Sequence, residues 1–333
     1  MLQRRSIRNT ASRCLKALLM LPILFALLAG GTADAAAPMG NPGTPLLKID
    51  LDLDTLAESE IGKLLLEAGI KLTAQQMEKD PEKAMEALIE SLGFDPMKQA
   101  IHLTATIDSL DDPIEGLSVN VRFKDSTGNL EGFLLAAPDY KSTTEGGHTV
   151  HVVTFEGEVI HIVFGDASSG EKHVIASSSK KYVMDELGEL DSQSASDQTT
   201  KVTDGKMLAI ELLSIPEEIA DQPPFANIAN MMSSCDLSIH EEDENLVVQF
   251  SMTATDEQRA TQMQQLVQGG VAMIGLFKDE IQKELEDEDV ASSVIPVLNQ
   301  IKVNRKKATV TIQSMIPETL IIDFLREEAG LPL

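Results

Sequence analysis

The sequence predicts an α+β body: antiparallel β-sheets with amphipathic helices packed on them, in two lobes. Three observations carry that expectation. Short segments alternate apolar and polar residues, as in Leu47-Lys-Ile-Asp-Leu-Asp-Leu53, the period of a half-buried strand. Two such runs, TVHVVTF (149–155) and VIHIVF (159–164), flank Glu156-Gly-Glu158 and read as a hairpin. A long segment, about 256–285, places Ala260, Met263, Val267, Gly270, Ile274, Phe277 and Ile281 at alternating steps of three and four, the seam of a packed helix.

Residues 1–35 combine Arg4, Arg5, Arg8, Arg13 and Lys16 with an apolar run from Ala17 to Gly30 and the small-residue pattern Ala33-Asp34-Ala35. This is the three-part form of a secretory signal peptide, with cleavage expected after Ala35. The apolar run is shorter than the roughly 20 residues of a full span, so no membrane span is expected in the mature form. Residues 36–45 (AAPMGNPGTP) form a flexible tether.

An N-terminal lobe is expected over 46–190. Its first strand carries Lys48, Asp50, Asp52 and Asp54 on a solvent face, and Thr55-x-x-Glu58 opens a helix to about Ala68. A second helix is expected from Pro81 to Leu92. Strands follow at about 98–107, 117–124, 130–137, 149–155, 159–164 and 172–177. Both faces of the 149–164 hairpin are apolar, which predicts a central place in a sheet covered on both sides. If Glu156-Gly157 forms its turn, Val152 faces His161 and His151 faces Ile162, so the two histidines point to opposite faces. A helix from Lys180 is expected to stop at Gly188.

Residues 189–205 are polar and aperiodic, the best candidate boundary. The C-terminal lobe, 205–333, is expected to hold a strand at 206–213, a Pro-started turn at Pro216, and strands 235–241 and 245–254 around the acidic turn Glu242-Asp243-Glu244. The long helix follows. Its Gly269-Gly270 pair costs up to about 2 kcal/mol of helix preference, which calls for a closely approaching strand or a kink. A helix near 290–299, a basic hairpin turning near Asn304-Arg305 and a helix started by Pro317 complete the lobe. Ser214-Ile-Pro216-Glu217 and Ser314-Met-Ile-Pro317-Glu318 echo each other at strand-to-helix corners.

The chain holds 27 bases against 53 acids, a charge of −26. Loss of residues 1–35 leaves 22 bases, 52 acids and a charge of −30. Such a surface repels phosphate backbones and anionic headgroups, and with no Trp and two Tyr it offers few faces for base stacking. Nucleic acid is therefore not an expected partner. Cys14 lies in the leader, so the mature chain keeps the single thiol of Cys235, expected as a small buried group.

No catalytic, cofactor-binding or metal-binding residue is assigned. Asp50-x-Asp52-x-Asp54 starts like a calcium loop, but Thr55 and Ile61 stand where Gly and Glu are required. Weak divalent cation binding is the most it suggests. His102, His173 and His240 stand apart in sequence, and His148, His151 and His161 do not converge, so all six read as structural or surface groups. The acidic runs 241–244 and 284–289 read as solvated turns and helix ends. Arg305-Lys306-Lys307 reads as a charged hairpin edge or a docking patch for an acidic segment. Ser177-Ser-Ser-Lys180 reads as a helix cap, with a Ser–Lys nucleophile as the sharper option. There is no GxSxG, GxGxxG, Walker A loop, CxxC or HExxH.

The segments LDTLAESEIGKLL, VIASSSKKYVMDELGEL and LVVQFSMTATDEQRATQMQQLVQGG, together with the leader, give a layout that resembles exported bacterial α+β proteins of unknown function. That resemblance carries over no catalytic residue. The expected function is an exported, non-catalytic binding or structural protein of the bacterial cell envelope, in the periplasm or outside, acting on an envelope or extracellular partner. The alternative is a secreted hydrolase with a dispersed acid/base site.

Overall fold

The computed structural model describes residues 45–64, 99–108, 116–124, 127, 130–135, 137, 139–155, 158–192, 205–213, 229–276, 297 and 300–322. It is α+β, and the strand pairs within each of its parts are antiparallel. The chain divides into two compact units between Ala209 and Ile210. No helix among the described residues is long and apolar enough to cross a membrane.

The first unit contains β1 (Leu47–Asp52), α1 (Leu53–Glu58), β2 (Ala100–Ile107), β3 (Leu117–Phe123), α2 (Leu130–Leu135), β4 (Lys141–Glu145), β5 (His148–Phe155), β6 (Glu158–Asp166), β7 (Lys172–Ser177) and α3 (Lys180–Ser192). The strands lie in the order β1-β2-β3-β7-β6-β5-β4. The helix expected from Thr55 begins earlier, because Asp52 Oδ1 accepts a hydrogen bond from Thr55 N at 2.8 Å and caps it. It breaks at Ser59, whose hydroxyl accepts from Gly62 N at 2.8 Å, and residues 60–64 form a further helical turn. A Cβ at Gly62 would overlap the Leu56 carbonyl, so glycine is what permits the break.

Residues 130–135 are helical and not the strand expected; Leu130, Phe133 and Leu134 follow the i, i+3, i+4 spacing of a helix. β4 has no counterpart among the expected strands. It is exposed along its whole length and carries no apolar face, as suits an edge strand. Its signal was Gly146-Gly147, both at positive φ, which join it to β5. The hairpin of β5 and β6 has the expected register, Val152 with His161 and His151 with Ile162. Its position is not central, because β5 lies next to the edge strand.

Helix α3 runs through Gly188, where it was expected to stop, and ends at Ser192. Its Val183, Leu187 and Leu190 bury against Val150, Val163 and Ile175 of the sheet. That burial outweighs the cost of about 1 kcal/mol for a helical glycine. Gly165 on β6 makes the approach possible: a Cβ there would stand 2.9 Å from Leu187 Cδ1 and 3.4 Å from Leu190 Cδ1.

β8 (Leu208–Leu212) spans the division, and the second unit continues with β9 (Met232–Glu242), β10 (Asn245–Ala254), α4 (Glu257–Leu276), β11 (Lys302–Lys306) and β12 (Thr309–Pro317). Strands β9, β10, β12 and β11 lie side by side. Ala260 and Met263 of α4 are fully buried over Met252, Ala254 and Val310, with Val267, Phe250, Ile312, Val303 and Cys235 around them. The next expected seam position, Gly270, is exposed, and a Cβ at Gly269 or Gly270 would meet nothing within 4 Å among the described residues. Among the described residues no strand approaches the glycine pair. Phe277, Ile281 and the rest of the expected helix to 285 lie outside the described residues, as do the helices at 81–92 and most of 290–299, the turn at Pro216 and the acidic run 284–289. The β11–β12 hairpin turns at Lys307-Ala308, three residues later than expected. Asn304 and Arg305 therefore stand within the strand.

Candidate functional site

The antiparallel register of β1 and β2 sets Lys48, Asp50 and Asp52 opposite Thr106, Thr104 and His102. Partners in such a ladder share a face, so one face of the sheet gathers these six polar side chains. β3 extends it with Ser118, Asn120 and Arg122, and β7 with Ser177 and His173.

This face is not the solvated one that alternation predicted. Asp50 is 4% exposed and His102 2%. Asp50 Oδ1 accepts from Thr104 Oγ1 at 2.8 Å and lies 3.3 Å from His102 Nε2. Asp50 Oδ2 lies 2.7 Å from Lys48 Nζ. Burial alone would raise the Asp50 carboxyl, but hydrogen bonds from His102, Lys48 and Thr104 and the Lys48 charge outweigh it and hold it at about 2. Its neighbours in the acidic row do other work. Asp52 caps α1, and Asp54 pairs with Lys124 at 2.6 Å. The three carboxylates thus meet different partners. Among the described residues no three His, Cys, Asp or Glu side chains are grouped to hold a metal.

Helix α3 reaches the same face from above. Burial raises the Glu186 carboxyl, as does the Glu189 charge, against hydrogen bonds to Tyr182 and Asn120 and the pull of Lys48. Tyr182 is raised by its own burial. Asn120 Oδ1 also meets His173 Nδ1 at 3.1 Å. Burial, reinforced by the Arg122 charge, pushes His173 down to about 4. The result is a connected polar layer in which Lys48 interacts with two carboxyl groups shifted in opposite directions, Asp50 lowered and Glu186 raised.

A second constellation forms around His151, 2% exposed. Its Nδ1 is 3.0 Å from the Tyr140 hydroxyl, its Nε2 is 3.6 Å from Glu131 Oε1, and its ring meets Phe164 edge-on. His148 pairs with Asp191 at 3.2 Å. His102 and His173, read as isolated, thus have partners that come from other strands.

The remaining candidates resolve simply. Ser179 Oγ accepts from Tyr182 N at 3.3 Å and caps α3, Ser177 Oγ accepts from Ser179 N at 3.0 Å, and Lys180 pairs with Glu145. This is the cap expected, with Lys180 turned to an acid. Cys235 is half-buried in the second core, and burial with the Asp236 charge pushes its thiol up to about 11, away from nucleophilic use. Arg305 and Lys306 lie exposed on β11, at the end of the strand order, and Lys307 in the turn.

No protein-family model matches the chain, and no curated protein matches it. Among solved structures it is similar to crystal form III of TP0453, with a TM-score of 0.42 and 11% identity over 90% of this chain and 100% of the other. Crystal form IV of TP0453 gives 0.42 and 12% over 87% and 97%, and crystal form I gives 0.41 and 9% over 89% and 98%.

Proposed function

We propose that the chain is an exported, non-catalytic binding or structural protein of the bacterial cell envelope, built as two α+β lobes with amphipathic helices packed on their sheets. The observation that carries this reading is the closed state of the buried Asp50 carboxylate. Asp50 is 4% exposed, and Lys48, Thr104 and His102 occupy its oxygens. A general acid or base must reach the proton it transfers; this carboxylate instead ties β1 to β2. The basic, apolar and small-residue order of residues 1–35 supports export.

The test is fractionation of the producing cells with mass measurement of the purified chain. A polypeptide beginning at Ala36 beyond the inner membrane is expected. An intact chain from Met1 in the cytosol overturns the proposal. The second reading, an exported hydrolase, draws on the opposed tendencies of Asp50 and Glu186, since such divergence marks acid/base pairs. Substrate turnover that Glu186→Gln abolishes would put it in place of the first.

A further inference from the structure

Strand β11 is basic in an acidic chain. Acids outnumber bases 53 to 27, yet the β11–β12 hairpin, 302–317, holds Lys302, Arg305, Lys306 and Lys307 and no Asp or Glu. β10, on the other side of β12, carries neither sign. All four cations are exposed. Lys48, Lys124, Lys172 and Lys180 each stand beside a carboxylate. Among the described residues the four cations of the hairpin have no such partner, and Arg305 Nη1 donates instead to Lys307 O at 2.9 Å.

The edge is also open. Among the described strands β11 ends the order and pairs with β12 alone. Such an edge presents backbone groups to which a further strand can bind. Val303 packs into the second core, so alternation sets Lys302, Asn304 and Lys306 on the opposite face of the sheet. Lys302 and Lys306 are four residues apart along the strand, about 13 Å. An extended segment with an acid at every second residue carries a carboxylate about every 7 Å along one face. Its first and third acids therefore match Lys302 and Lys306.

Charge and size select the occupant. A second β11 would set cation against cation. A bilayer or a nucleic-acid duplex extends well beyond one strand and would meet a body that carries −26. A single extended segment meets the hairpin alone. The acidic turn Glu242-Asp243-Glu244 lies past the far end of β12, where Asn245 pairs with Pro317, whereas Lys302 pairs with Gln313. Those two positions of β12 are about 13 Å apart. That exceeds the Debye length of about 8 Å at physiological salt, so the acids of the turn do not cancel the edge.

We propose that β11 is a docking edge for an acidic, extended segment of a partner protein, which adds as a strand and sets alternate carboxylates against Lys302 and Lys306. The inference names the partner's chemistry and rests on the reading of the chain as a binding protein. Fluorescence anisotropy of a labelled octapeptide alternating threonine and glutamate, titrated with the purified chain, tests it. Saturable binding is expected. The same peptide with glutamine in place of glutamate is expected to bind at least tenfold more weakly. So is the glutamate peptide N-methylated at alternate residues, which keeps its charge and loses its strand hydrogen bonds. Lys302→Gln combined with Lys306→Gln is expected to weaken binding about fivefold, as the loss of two exposed ion pairs requires. Its circular dichroism spectrum is expected to be unchanged, because both positions are exposed. Absence of binding overturns the proposal, as does binding that the double substitution or the N-methylation leaves unaltered. Capture of phosphatidylglycerol vesicles in place of the peptide assigns the edge to lipid and equally overturns it. Export is read by cell fractionation and this binding on the purified chain, so failure of the one is distinguishable from failure of the other.

Discussion

His173 and Asp50 give the first unit a two-stage response to acid. His173 is held neutral, at about 4 against an ordinary 6.5, by burial and by the Arg122 charge. Between these values the unfolded chain binds a proton that the folded one refuses, so stability falls as pH drops from 6.5 towards 4. The loss is about 3 kcal/mol when complete. Asp50 acts lower. Its contribution, about 2 kcal/mol, is present above 3.8 and disappears as pH falls towards 2. Asp108 and Glu186 are raised by burial and run in the opposite sense. The difference between wild type and His173→Asn therefore isolates the histidine. Urea midpoints measured from pH 7 to 4 should fall for wild type and stay flatter for the variant; parallel curves would remove His173 from the account. Neither group was legible beforehand. His102 meets Asp50 across 52 positions of sequence and His173 meets Asn120 across 53, and only strand pairing brings such distant positions together.

Local signals served best where an element closes on itself. The β5–β6 register followed from the turn and alternation alone, because the strands are neighbours in sequence and a hairpin fixes its own pairing. For β9 and β10 the strands and their acidic turn were expected but no register was; the loop is the two residues Asp243-Glu244, with φ of 48° and 60°. Two positive φ values mark a type I′ turn, yet neither residue is glycine. Each left-handed residue with a side chain costs roughly 1–2 kcal/mol. Asn245 Nδ2 offsets part of this by donating to Asp243 O at 2.6 Å. Glu244→Gly is therefore expected to stabilise the protein by about 1 kcal/mol, seen as a melting temperature a few degrees higher. An unchanged or lower value would show that the backbone there is not strained. α2 and β4 were not legible in the sequence, one being a six-residue helix and the other a strand with no apolar face. Each lacks the long period that separates helix from strand.

Over the whole molecule the excess of acids opposes compactness. At about 10 mM salt the Debye length is about 30 Å and charges across a unit interact; at about 1 M it is about 3 Å and they do not. With a charge of −26, sodium chloride over that range should raise the melting temperature. A flat or falling response would mean that local pairs such as Lys124–Asp54 and Lys172–Asp166 outweigh the general repulsion. Composition, net charge, the antiparallel α+β class and the register of the local hairpin were determined by the sequence alone, since each depends on residues that are counted or are close along the chain. The tertiary structure decided which face of β1 is buried, that its acidic row is divided among different partners, and that Gly269-Gly270 of α4 are exposed. Alternation fixes only which side chains share a face. Whether that face meets water or protein depends on elements folded in from elsewhere in the chain.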